Sequence, residues 1–141
     1  MFEQFGIVKP GTFWKLTKAV SGLRISPRLW GKERDKQLKS LRVQIDGEPH
    51  YFMSSSVDVA LWILVADNDE EWDHNRTPVA CLLTYVDDFM VVGPLHVRNA
   101  IEEEILKIWD IRVPGRIEQF DTENPDASVT FLSTNIRSHP T

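Results

Sequence analysis

Two adjacent carboxylates, Asp87 and Asp88, lie between two continuous apolar runs, residues 79–83 and 89–92. Runs of that length read as strands of a buried sheet, which puts the acids at the turn of a hairpin. A plain two-residue turn favours Asn-Gly or Asp-Gly, because its central residues need positive φ. Here the first glycine after the acids is Gly93. Two unpaired carboxylates at the edge of a sheet repel each other and are costly to desolvate, and a divalent cation removes that cost. Mg²⁺ (or Mn²⁺) is typically held by one or two carboxylates plus substrate phosphates, which points to phosphoryl or nucleotidyl transfer. The competing reading is a solvated acidic turn, and for an Asp-Asp pair taken alone it is the commoner one.

Other chemistries are argued against by residue type and spacing. His50, His74, His96 and His139 are scattered, and Cys81, the only cysteine, falls inside a strand run. That leaves no zinc-ligand spacing and no Cys–His nucleophile. A lone cysteine also allows no internal disulfide and fits a reducing compartment. Asp67-Asn68-Asp69 opens like a calcium loop, but Trp72 stands at the sixth position, where the turn needs glycine. No Gly-rich phosphate loop is present. The Asn75-Arg76-Thr77 sequon is read as chance, because residues 1–11 carry Glu3, Gln4 and Lys9 and do not resemble a signal peptide. No apolar run approaches membrane-spanning length. The expected setting is intracellular, cytoplasmic or nuclear, with no membrane partner.

The acids need elements to hold them. Ser26-Pro27 is a helix start, with Ser as N-cap and Pro in the first turn. The helix runs through Leu29, Trp30, Leu38 and Leu41, and its apolar stripe is thin because Arg34 takes a core position. Residues 46–49 form a turn cluster, and residues 57–65 are β-branched and apolar enough for a strand. Residues 67–78 read as a loop. After Gly93-Pro94, Val97, Ile101, Ile105 and Ile108 repeat at i, i+4, i+8 and i+11, an amphipathic helix that residues 113–115 should end. Residues 129–136 are a short strand candidate. No internal repeat or low-complexity tract appears.

The 141 residues suffice for one domain with a real core, and a hydrophobic fraction of 42% excludes wholesale disorder. The net charge of −5 hides an asymmetry. Residues 1–44 hold ten Lys/Arg against three acids, a net of +7, and the other 97 residues hold six against 18, a net of −12. A basic front can neutralise phosphates and an acidic rear can hold divalent metal, although two solvated faces explain the same split.

Two blocks then resemble one family. Thr84-Tyr85-Val86-Asp87-Asp88 resembles the Tyr-x-Asp-Asp box of reverse transcriptases. Residues 14–30, WKLTKAVSGLRISPRLW, resemble the L-x-K-A-L-Y-G-L-K-x-(S/A)-P-R-A-W block of copia-type LTR retrotransposon polymerases. Asp58 and Trp62 fall where that family has an Asp and an aromatic before a strand. Phe131-Leu132 resembles the Phe-Leu-Gly of its primer-gripping hairpin. The blocks stand in the family's order and cover about residues 13–136.

The resemblance implies an RNA-directed DNA polymerase, a magnesium-dependent nucleotidyltransferase acting on an RNA or DNA primer-template and deoxynucleoside triphosphates. Asp87 would be the principal metal ligand of a two-metal site, supported by Asp88, and Tyr85 would lie against the primer end. Gly22 would let backbone approach the nucleotide or template, and Lys18, Arg24 and Arg28 would lie near phosphate. The chain departs from the family at Ser21, where the family has Tyr, and at Ser133, where it has Gly, which argues against a tight turn there. It also lacks the upstream strand block that carries a further metal-binding Asp.

The expected fold is α+β: a partial polymerase palm, an antiparallel sheet with helices from about Ser26 and Leu95 packed on one face. Residues 1–12 are an irregular lead-in and residues 137–141 a tail. The expected role is that of a partial reverse transcriptase, a fragment or decayed copy from a copia-type retrotransposon polyprotein whose other segments are candidate partners, inactive alone. Two alternatives are a non-catalytic nucleic-acid-binding remnant and an unstable product of a decayed element, prone to aggregate along an exposed edge strand.

Overall fold

Asp46 and Gly47 both have positive φ, 52° and 85°, the signature of a type I′ turn, whose twist matches that of the strands it joins. In the computed structural model, which describes residues 24–67, 78–118 and 127–137, this turn links β1 (Arg42–Ile45) to β2 (Glu48–Ser54). Strands β3 (Leu61–Ala66), β4 (Ala80–Tyr85) and β5 (Asp88–Val92) follow. All neighbours are antiparallel, in the order β1-β2-β3-β4-β5. Helices α1 (Ser26–Ser40) and α2 (Leu95–Ile108) pack on the sheet, and β6 (Ser128–Phe131) pairs with β7 (Thr134–Arg137) as a separate hairpin. The architecture is α+β. No helix among the described residues is long and apolar enough to cross a membrane.

Register decides which face is buried. Phe52, Leu64 and Ala80 lie side by side across three strands, and Trp62, Leu82 and Val91 form the next row. These rows share one cluster with Leu38 from α1 and with Val97, Ile101 and Ile105 from α2. Both helices therefore cover the same face, as the apolar spacing implied.

Gly93 closes this packing where β5 leaves the sheet. A Cβ there would stand 2.8 Å from the Ala80 Cβ and 3.3 Å from its Cα, and a backbone atom cannot move aside. Gly93→Ala is expected to cost about 1–3 kcal/mol through overpacking. Gly31→Ala, inside α1 with nothing within 4 Å of the new methyl, should instead stabilise by about 0.5–1 kcal/mol. Urea melts of the two variants check the contrast; a neutral Gly93→Ala contradicts it.

The elements depart from the expected boundaries in five places. Ile25, not Ser26, is the N-cap of α1, and Leu41 is its C-cap, turning into β1. Strands β1 and β2 flank a turn read without its strands. The expected strand over 57–65 begins only at Leu61, because Asp58 Oδ1 accepts the Ala60 N–H at 2.8 Å and bends the chain, leaving Val57 and Val59 exposed. Helix α2 stops at Ile108, where Trp109 goes extended to place its ring against Phe89 and Trp30. The strand expected over 129–136 is a hairpin, with the tight turn that Ser133 argued against: Leu132 and Ser133 take φ of 50° and 62°.

Candidate functional site

The register of β4 with β5 runs from Cys81↔Val92 to Tyr85↔Asp88. It leaves Val86 and Asp87 as a two-residue turn. Only Val86 has positive φ, 52°, the φ pattern of a II′ turn, whose first central position belongs to glycine. A β-branched residue held there costs about 1–3 kcal/mol and persists only when its surroundings over-determine it.

The surroundings come from α1. Trp30 Nε1 donates to the Val86 carbonyl at 2.6 Å, and Arg34 Nη1 donates to the same oxygen at 3.2 Å. The Trp30 ring meets Trp109 edge-on, with centroids 5.9 Å apart, and Trp109 stacks on Phe89 at 5.4 Å. Arg34 is braced by Asp35 Oδ1, which accepts from Nε at 3.0 Å and from Nη2 at 2.8 Å. On the β4 side, Thr84 donates through N and Oγ1 to the Ala60 carbonyl, at 2.8 and 3.3 Å. Each flank of the turn is thus tied to a different element.

Asp87 and Asp88 are exposed at the tip of this hairpin. The expected desolvation of the pair is corrected: a turn at the end of the sheet leaves both carboxylates in water. Neither forms an ion pair among the described residues. Tyr85, 56% exposed, pairs with Asp88, and strand alternation puts both on the face opposite the helices. No group of three or more His, Cys, Asp or Glu side chains that could hold a metal occurs among the described residues. Two exposed carboxylates at one turn are too few to cage a divalent ion by protein alone.

Arg24 and Arg28 are exposed, one just before α1 and one in its first turn. Gly22 and Lys18 lie outside the described residues. Arg28, Lys32, Lys36 and Lys39 repeat at i, i+4, i+8 and i+11, and all four are exposed. They form a basic outer stripe. The inner stripe is Trp30, Arg34, Leu38 and Leu41, so one helix presents cations to solvent and donors to the carboxylate turn.

No protein-family model, curated protein or solved structure matches the chain.

The roles of Trp30, Arg34, Val86 and Trp109 were not legible beforehand. Arg34 gave the one available signal, a charge in the apolar stripe of α1. An open groove of about 770 Å³ beside β5, lined by Met90, Val92, Arg98, Ile105, Val129 and Phe131 among others, does not include the carboxylates. Of the three arginines that line it, Arg98 is neutralised by Glu118, whose two carboxylate oxygens lie 2.5 Å from Nη2, and Arg116 is paired with Glu102.

Proposed function

We propose that the β4–β5 turn is the carboxylate turn of a reverse-transcriptase-type palm, and that the chain contributes it to RNA-directed DNA synthesis. One observation carries the reading. The two blocks that resemble the polymerase family, 56 residues apart at Trp30 and Val86, meet through a hydrogen bond at the carboxylate turn. A solvated acidic turn gives no reason for a helix to hold it.

In this reading Asp87 and Asp88 hold a divalent cation together with the triphosphate of an incoming nucleotide. The bound metal would supply charge neutralisation at the transferring phosphoryl group and a more acidic 3′ hydroxyl. Tyr85 lies beside the primer end. Arg24, Arg28 and the basic stripe of α1 take the phosphates of the template or primer. With two carboxylates at the turn, nucleotidyl transfer needs a further acidic ligand from another segment.

The second reading, a nucleic-acid-binding module without chemistry, is favoured by the same two-carboxylate count. Both readings require the basic stripe to bind phosphate. Binding of a primed RNA template, followed by fluorescence anisotropy across 50–200 mM salt, tests that requirement. Lys32→Ser/Lys36→Ser/Lys39→Ser should lower the slope of log K against log salt by about 3 and weaken binding roughly tenfold or more at low salt. An unchanged slope would remove nucleic acid from both readings.

A further inference from the structure

The strain at Val86 and the side chains that reach its carbonyl bear on how the carboxylates are aimed. A rotation about Val86 φ reorients the next peptide and both acids with it. Left free, a valine would relax toward the β or right-handed region, where its branched side chain is unstrained. It stays at φ 52° with two donors on one carbonyl oxygen, the full capacity of that acceptor. Both donors are themselves fixed, Trp30 by the Trp109 ring, which in turn stacks on Phe89, and Arg34 by Asp35.

Arg34 strengthens the case. Its side chain is only 12% exposed, at a position of α1 where an apolar residue would pack at no electrostatic cost. A guanidinium largely out of water is unfavourable unless its donors are used, and here they are used on Asp35 and on the turn.

We propose that Trp30 and Arg34 are positioning residues that lock the Val86 carbonyl and thereby fix the direction of the Asp87 and Asp88 carboxylates. Their value to the site rests on the metal–nucleotide reading of those carboxylates; the lock itself does not.

The experiment separates the two. On the full chain without metal, backbone amide shifts and hydrogen exchange are recorded for residues 86–88. Trp30→Phe keeps an aromatic ring beside Trp109 and removes the Nε1–H. It should move the Asp87 and Asp88 resonances and quicken exchange in the turn about tenfold, while the amides of Leu64 and Leu82 hold their rates. Val86→Gly makes positive φ free of strain, so in that background Trp30→Phe should change exchange less than twofold, the coupling expected of two residues acting on one backbone state. Arg34→Lys, which keeps the charge and loses the planar fork, should act in the same direction and serves if Trp30→Phe does not fold.

Wild-type shifts and rates at the turn in both variants would overturn the proposal. So would an equal Trp30→Phe effect in the Val86→Gly background, since the contact would then be packing alone. Mn²⁺ titration in the presence of a deoxynucleoside triphosphate gives the second readout. Trp30→Phe should weaken binding about tenfold, with partial recovery in Trp30→Phe/Val86→Gly. Binding that Asp87→Asn/Asp88→Asn leaves intact would sink the carboxylate reading, and the exchange data alone would then decide the lock.

Discussion

Leu82→Ala is expected to destabilise the chain by about 3–4 kcal/mol and to lower its Tm by roughly 10–15 °C. Leu82 is fully buried in β4, beside Trp62 of β3 and Val91 of β5, in the cluster that α1 and α2 cover. The cost has two parts, the lost transfer of about two to three methylene-sized groups and the cavity left behind. The cavity term should be large, because the neighbours belong to a hydrogen-bonded sheet and cannot close on the space. Against a total stability of about 5–15 kcal/mol for a domain of this size, the loss is a large share. Val92→Ala is the control: Val92 is 52% exposed on the edge strand and should cost under about 0.5 kcal/mol. Thermal melts by circular dichroism check both. A Leu82→Ala loss no greater than that of Val92→Ala would mean that the sheet does not pack as described. A cooperative melt of the wild-type chain would also argue against the reading of an unstable relic.

Legibility followed the range of the interactions involved. Helix α2 was readable because Val97, Ile101 and Ile105 face one partner surface, and local periodicity reports that directly. The β4–β5 hairpin was readable because both strands are continuous apolar runs. Strands β1 and β2 escaped because their polar faces dilute the signal, although Asp46-Gly47 flanked by Val43, Ile45, His50 and Phe52 carries the alternation of a hairpin. The turns at Val86 and at Leu132-Ser133 ran against sequence preference. Positive φ at non-glycine residues is imposed by surrounding structure, and no local rule sees that. The hold on Val86 spans 56 residues. Trp30 could be quoted as part of a block, but its contact was out of reach.

The place of the two acids at a hairpin turn was legible, and their environment was not. Asp87, Asp88 and Tyr85 were identified by type and order, whereas their exposure depends on where the sheet ends. The correction changes the physics of the site. Exposed carboxylates pay little desolvation and bind a bare cation weakly, so in the proposed reading a phosphate-bearing ligand would complete the coordination. Affinity for metal should therefore depend on nucleotide, which is a sharper statement than a tendency to bind metal.

The central claim is that Asp87 and Asp88 hold a divalent cation together with a nucleotide triphosphate. Electron paramagnetic resonance of free Mn²⁺, titrated with the full chain in the presence and absence of a deoxynucleoside triphosphate, tests it most directly. The wild-type chain should bind weakly without nucleotide and at least about tenfold more tightly with it. Asp87→Asn/Asp88→Asn, which keeps the size of both side chains and removes both charges, should lose roughly a hundredfold of the nucleotide-dependent binding, with an unchanged melting curve. If the double variant binds Mn²⁺ and nucleotide as the wild type does, the turn is a solvated acidic tip and the polymerase reading of the site is wrong.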